Sequence, residues 1–490
     1  GAPDKYFGAD YVNRTVFAGL QNAPTYRLVG SYDKNTIFFA DEKYVYSVAR
    51  GATDTDAVLA AYDKTMQNVR WQKSFSMTNL HTIYALTNTE LITSAMVKDG
   101  RIYVMVRSTQ SPTLPSGKAE PFTFVFDREN GTMLAGPLNI GSRMPAAVNT
   151  PWILQNNLYA DSKGIIHMQN GSRSNQTQRD YQCGTGLCRA SYDFGSNETY
   201  YGGTMQYDTK EILPRYISQK GTSVYYSGDP SYVRDAILYD PNQVQIGMLE
   251  YPYNRGTSQN KPSIQFRLIG VDEAGNFYSS FHNKSDKVAI AIHDKTGKLT
   301  KTYEVPDAFV LSEPVYYSGT TNIAYYERYL NPRNLYTVDG KGNIWTAHMN
   351  KAFVLKPTGQ VASVYDFTNK SSTTQKVAAI YVGSDGLINY FSFYEDDLTI
   401  GAKTGKMQTV AIDPNTNSVV RTSTSNSLIL DPGASSIGYV DSNYKGSMWP
   451  MNIIPIGDQA FLMQGFTKGT QAANKSNVYL IQASGALTYP

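Results

Sequence analysis

Two short patterns alternate along this chain, and their alternation limits what it can fold into. The first is an acidic or polar turn followed by alternating apolar residues. It reads Asp41-Glu-Lys-Tyr44-Val-Tyr46, Asp99-Gly-Arg-Ile102-Tyr-Val104, Asp161-Ser-Lys-Gly164-Ile-Ile, Asp272-Glu-Ala-Gly275-Asn-Phe-Tyr, Asp339-Gly-Lys-Gly342-Asn-Ile-Trp345 and Asp385-Gly386-Leu-Ile, with weaker copies at Lys220-Gly221 and Gly457-Asp458. The second is an apolar strand, a polar turn and another strand. It passes through Tyr62-Asp63, Phe126-Asp127, Tyr207-Asp208, Tyr239-Asp240, His293-Asp294-Lys-Thr-Gly297, Leu355-Lys-Pro-Thr-Gly359, Ile412-Asp413 and Leu480-Ile481.

Each pattern occurs eight times, and the spacing averages about 60 residues, a period at which stacked or radial β units are found. Each unit has room for three or four short strands. Asp-Gly and Thr-Gly punctuate them, because Gly accepts positive φ and Asp bonds the nearby backbone. A short twisted sheet cannot keep both faces dry alone. Placing such sheets around an axis buries each against its neighbours. The fold expected is therefore all-β, a β-propeller of eight blades, or seven if the short fourth unit is incomplete. A linear β-solenoid and a set of separate β-sandwiches are the alternatives. The expected organisation is a segment 1–35 that completes or covers the closing blade, and one propeller domain over 36–490. The third unit is expected to carry an insertion at about 169–204.

Lys plus Arg is 44 and Asp plus Glu is 41, a formal net charge of +3. A nucleic-acid binder would need a basic patch or stripe, so that partner class is excluded. No apolar run approaches the ~18 residues that span a bilayer. The chain holds 38 Tyr against 19 Phe and 4 Trp, a residue suited to half-wet strands. The two cysteines, Cys183 and Cys188, flank Gly-Thr-Gly-Leu, and a local disulfide between them is expected, with two unrelated free thiols as the alternative. The start at Gly1-Ala2-Pro3-Asp4 reads as a fragment from which a targeting segment was removed. The expected location is extracytoplasmic: periplasmic, cell-surface or secreted. Eight Asn-x-Ser/Thr tripeptides occur, at Asn13, Asn130, Asn170, Asn175, Asn197, Asn283, Asn369 and Asn474, and in a chain this rich in Asn, Ser and Thr several arise by chance.

Two stretches carry a family likeness: Ser94-Ala-Met-Val-Lys-Asp99-Gly-Arg-Ile-Tyr-Val104 followed by Phe124-Val-Phe-Asp127-Arg-Glu-Asn-Gly131, and Ala289-Ile-Ala-Ile-His-Asp294-Lys-Thr-Gly297-Lys-Leu299. They resemble the PQQ-type propeller repeat of quinoprotein alcohol dehydrogenases and related non-enzymatic propellers. The likeness runs over roughly 36–490 and implies eight blades. Many such repeats end in a Trp after the Gly turn, which docks one blade on the next. Trp71 matches that once, while Leu134, Leu299 and Val361 stand in similar places elsewhere. The adjacent Cys-Cys pair of the dehydrogenases and a haem-attachment motif are both missing from the sequence.

The candidates for chemistry are few. The five histidines form neither His-x-His nor His-Glu-x-x-His, so no metal ligation is expected. His167, His282 and His348 lie near the ends of the first strand pattern in their units, and they converge on a central channel if those strands line the axis. The pairs Tyr200-Tyr201 and Tyr225-Tyr226 put one ring on each sheet face, so Tyr201 and Tyr226 are candidates for stacking on a sugar or a protein surface. Trp449 is a third aromatic candidate. Blade-to-blade packing is the alternative role for the tyrosines, a core position for Trp449, and separate polar positions on strands or loops for the three histidines. No nucleophile-elbow serine, P-loop or dinucleotide fingerprint is present. The sequence therefore favours a non-enzymatic, monomeric propeller that binds a protein or glycan through its top face or central channel, with no cofactor. The alternative is a propeller enzyme, either carbohydrate-active or a quinoprotein dehydrogenase carrying PQQ and calcium.

Overall fold

A computed structural model describes residues 24–33, 36–53, 56–77, 92–108, 120–138, 153–160, 165–172, 187–193, 196, 198–202, 216–217, 223–227, 235–239, 245–248, 267–272, 274–282, 288–305, 336–348, 351–367, 376–397, 403–424, 428–431, 436–437, 450–457, 460–468 and 475–483. Every regular element among them is a β-strand, and the strands form eight antiparallel sheets. Seven sheets follow one plan, in which four consecutive strands pair in chain order. The first runs through Ile37–Ala40, Val45–Arg50, Asp56–Tyr62 and Val69–Ser76. The eighth is built differently. Pro450–Gly457, Ala460–Lys468 and Lys475–Ala483 are its first three strands, and Pro24–Asp33 pairs antiparallel with Lys475–Ala483 as the outermost.

The sheets are small because their turns recur. Gly275 N–H donates to the Asp272 carbonyl and Asp272 N–H to the Asn276 carbonyl. Asp294 and Gly297, and Asp339 and Gly342, repeat that geometry. Residues at the glycine positions must take positive φ, and Gly275, Gly297 and Gly342 stand at 86°, 91° and 83°. This is the physical content of the Asp-x-x-Gly spacing in the sequence.

The core lies between sheets. Phe39, Tyr46, Val48, Leu59 and Phe75 of the first sheet pack on Val97, Val104, Phe124 and Phe126 of the second. Phe75 touches both Phe124 and Phe126, with ring centroids 5.0 and 4.9 Å away. Phe38, Ala40 and Val45 of the first sheet likewise meet Ile454, Ile456 and Leu462 of the eighth. Each such side chain contributes roughly 1.5–3 kcal/mol by leaving water, which no isolated four-stranded sheet obtains. Neighbouring sheets touch along their first strands. Pro450–Gly457 meets Ile37–Ala40, which meets Ile92–Lys98, which meets Ile153–Ala160; Arg267–Val271 meets Tyr336–Val338, which meets Lys376–Val382. The first strands are innermost, and the fold is a β-propeller.

One difference from the sequence reading concerns the third unit, and one observation bears on the short fourth unit. The stretch 169–204 was expected as an insertion. Much of it is sheet: Ile165–Ser172, Leu187–Asp193 and Glu198–Gly202 are the second, third and fourth strands of the third unit. Tyr207-Asp208 drew the reading because it copies the turn signal, but Tyr192-Asp193 carries the same signal and is the turn the fold uses. The fourth sheet has four strands, the first reduced to Tyr216–Ile217. Two residues are too few to show a period in sequence.

Candidate functional site

In a four-stranded meander the first and third turns fall at one end of the sheet. The second connection and the exit to the next sheet fall at the other. Here the two ends differ in character. One end carries the tight turns, such as 41–44, 99–100, 272–276 and 339–343 between first and second strands and 294–298 and 356–360 between third and fourth. The other receives the long connections, among them 77–91, 139–152, 173–186, 249–266 and 305–335.

Among the described tight turns, several aspartates are satisfied within their own turn. Asp339 Oδ1 accepts from the Lys341 and Asn343 backbone N–H groups at 2.8 and 3.0 Å, and Oδ2 accepts from Asn343 Nδ2 and the indole Nε1 of Trp345 at 2.8 Å each. Asp272 repeats this with Asn276 and the Tyr278 hydroxyl, 2.9 Å away, and Asp41 with the Lys43 and Tyr44 N–H groups and the Tyr46 hydroxyl, 3.0 Å away. Burial, reinforced by the neighbouring carboxylate, pushes the Tyr46 and Tyr278 hydroxyls well above the ordinary phenol pKa.

A basic residue after the third-turn aspartate ties these turns together across sheets. Arg128 Nη1 reaches back to the first sheet, donating to Asp41 Oδ2 at 2.6 Å and Glu42 Oε1 at 2.8 Å. Lys64 reaches from the first sheet to the eighth, donating Nζ to the Ile456 carbonyl and to the Asp41 carbonyl of its own sheet. Lys64 is 3% exposed, and burial pushes its amine down to about 8, against the pull of the Asp41 and Glu42 carboxylates. A second series of contacts runs from three of the outermost strands to the next sheet's third turn. Arg27 donates to the Thr65 carbonyl, Trp71 Nε1 to the Arg128 carbonyl at 2.7 Å and Lys301 Nζ to the Pro357 carbonyl at 2.6 Å. Sequence reasoning found Trp71 but missed Lys64, Arg128 and Arg27. The recurring Asp-Lys and Asp-Arg steps at 63–64, 127–128 and 294–295 were the available signal.

Four of the candidate binding residues stand, each in its own sheet, near the opposite end. Tyr226 is next to last in Ser223–Ser227, His282 ends Phe277–His282, and His348 ends Ile344–His348; all are second strands, which finish at the long-connection end. Tyr201 lies next to last in Glu198–Gly202, a fourth strand that finishes at the same end. Trp449 is outside the described residues, and the strand that follows it, Pro450–Gly457, starts at this end too. His167 is the exception. It is third in Ile165–Ser172, paired with Tyr159 and Ser191, and so belongs to the tight-turn half of its sheet. The second strands lie one position out from the innermost ones. Cys183 lies outside the described residues; Cys188 sits in Leu187–Asp193 opposite Asn170.

Among the described residues, no three His, Cys, Asp or Glu side chains gather as a metal site would need, and no helix is long and apolar enough to cross a membrane. At the long-connection end, the strand positions next to the connections are Tyr201, Tyr226, His282 and His348, one in each of four sheets.

No family model matches the chain, and no curated protein matches it. Among solved structures it is similar to a polysaccharide lyase of family PL25, an ulvan lyase, with a TM-score of 0.41 and 11% identity over 82% of this chain and 95% of that one. It is also similar to the β-propeller domain of the trilobed protease of Pyrococcus furiosus, described as having an open velcro topology, with a TM-score of 0.37 and 10% identity over 81% of this chain and 98% of that one.

Proposed function

We propose that this chain is an extracytoplasmic propeller that binds a protein or glycan partner, without catalysis, at the end of its sheets bearing the long connections. The observation carrying this reading is the division between the two ends. At the tight-turn end the aspartates spend their acceptors on their own turns and on neighbouring sheets. Strand direction puts Tyr201, Tyr226, His282 and His348, one in each sheet from the third to the sixth, near the other end of their own sheets, which supports this reading. Aromatic and imidazole groups on a rigid frame bind sugars and protein surfaces by stacking and hydrogen bonding. The Tyr-rich, charge-poor composition and the close Cys183–Cys188 spacing support an extracytoplasmic setting.

Affinity electrophoresis against a panel of soluble polysaccharides, together with binding to a purified extracellular protein set, tests the reading. Binding that weakens tenfold or more in Tyr201→Ala or Tyr226→Ala, with an unchanged unfolding midpoint, supports it. Turnover of any bound polymer, read as released reducing ends or unsaturated products, overturns the non-catalytic part. Binding that survives both substitutions together with His282→Ala and His348→Ala overturns the location.

A further inference from the structure

The sequence holds eight Asn-x-Ser/Thr tripeptides, and the asparagines of two of them, Asn130 and Asn170, lie among the described residues. Asn130-Gly131-Thr132 lies in the third turn of the second sheet, between Glu120–Asp127 and Met133–Leu138. Asn130 and Thr132 are both exposed. Asn130 Oδ1 accepts the Thr132 backbone N–H at 2.9 Å, so the exposed side chain closes a small ring over its own turn through its oxygen, and Nδ2 takes no part in that bond. The turn is fixed from below. Gly131 stands at φ 73°, its N–H donates to the Asp127 carbonyl at 2.8 Å, and a Cβ there would lie 2.5 Å from the Trp71 ring. Asn170 shows the contrast. It is in the middle of a sheet, paired with Asn156 on one side and Cys188 on the other.

We propose that Asn130 is an acceptor for an N-linked glycan. The donor is an oligosaccharide carried on a lipid diphosphate. Asn130 Nδ2 attacks the anomeric carbon, the new C–N bond forms as the C–O bond to the diphosphate breaks, the lipid diphosphate leaves, and the amide gives up one proton. The hydroxyl of Thr132 supplies the second recognition element of the acceptor. A glycan at this position projects from an exposed turn and buries no polar group, so the fold carries it at no cost in packing. One attached to Asn170 would have to share a sheet with strands on both sides. The inference rests on the extracytoplasmic reading, because such donors act on exported chains.

The test is to export the full chain through the secretory pathway of cultured eukaryotic cells and map each Asn by mass spectrometry. Amidase release is run in heavy-oxygen water, so that enzymatic conversion to labelled Asp is told apart from the spontaneous deamidation to which an Asn-Gly step is prone. The expected result is a glycan on Asn130 in most molecules, lost in Thr132→Ala, retained in Thr132→Ser, and none on Asn170. An exported, folded protein whose Asn130 is bare overturns the proposal, as does modification of Asn170 to the same extent. Fractionation of the native host tests the extracytoplasmic reading separately, since a chain retained in the cytoplasm fails that reading whatever Asn130 accepts after forced export.

Discussion

The Trp71 indole lies over Gly131 of the next sheet and donates its Nε1–H to the Arg128 carbonyl at 2.7 Å, so one aromatic side chain fastens two sheets to each other. A methyl at 131 would meet Trp71 Cζ3 at 2.5 Å and Lys73 Cγ at 2.7 Å, at a φ of +73°. Gly131→Ala is therefore expected to cost about 2–4 kcal/mol, combining backbone strain with displacement of the indole. Gly100→Ala is the control. Its φ is +78°, but the nearest atom is Arg128 Nε at 3.9 Å, and only the backbone term of about 1 kcal/mol remains. Urea unfolding of both variants separates the two contributions.

Asp339 is 2% exposed and holds four donors, one of them the fully buried indole of Trp345. Asp339→Ala leaves those groups without an acceptor, and a loss of about 3 kcal/mol or more is expected. Asp339→Asn is expected to be nearly as harmful, because its amide turns a donor towards Asn343 Nδ2 and Trp345 Nε1 if its oxygen serves the two backbone groups. In a cycle with Trp345→Phe, the double variant should cost less than the sum of the single ones. Additive losses in denaturant titrations would contradict the shared network.

Stability should change with pH in two opposite steps. The Lys64 amine, buried at the contact between the first and eighth sheets, has its pKa pushed from 10.5 down to about 8. Between these values the folded chain has released a proton that the unfolded chain keeps, so stability rises with pH through that window, by on the order of 1–3 kcal/mol. The tyrosines act the other way. Burial raises Tyr32 to about 12 and carries Tyr46, Tyr278, Tyr303 and Tyr390 further above the ordinary value of 10. Above pH 10 the unfolded chain ionises first and stability falls. Urea midpoints measured from pH 7 to 11 should pass through a maximum, and Lys64→Met should remove the rising limb while leaving the fall.

Arg27 joins the outermost strand of the eighth sheet to the first sheet, through the Thr65 carbonyl. Arg27→Ala should cost about 1 kcal/mol and speed amide exchange in Pro24–Asp33 several-fold, with the second and sixth sheets unaffected. Lys301→Ala, which removes the corresponding contact to Pro357, should leave Pro24–Asp33 unchanged. Hydrogen exchange read by mass spectrometry checks both, and equal effects of the two variants on Pro24–Asp33 would show that this junction is not held locally.

The sequence by itself determined the class of fold and the grain of the chain. Asp-x-x-Gly steps close tight turns because only glycine takes positive φ cheaply, and runs of consecutive apolar residues mark strands buried on both faces, as at Ile102–Val106 and Ile344–Trp345. Trp71 was legible as a sheet-to-sheet contact only through the resemblance to the PQQ-type repeat, whose Trp after the Gly turn docks one blade on the next. Tertiary structure alone decided the rest. Pro24–Asp33 finds its partner in Lys475–Ala483, across nearly the whole chain, and no local signal encodes that pairing. Arg27, Lys64 and Arg128 look like ordinary surface charges until the sheets meet and backbone carbonyls and carboxylates come within reach. That Tyr201, Tyr226, His282 and His348 each stand near the same end of their own sheets follows from strand direction. Direction becomes a shared property only when successive sheets are set side by side, because burial between them forces every meander to run the same way.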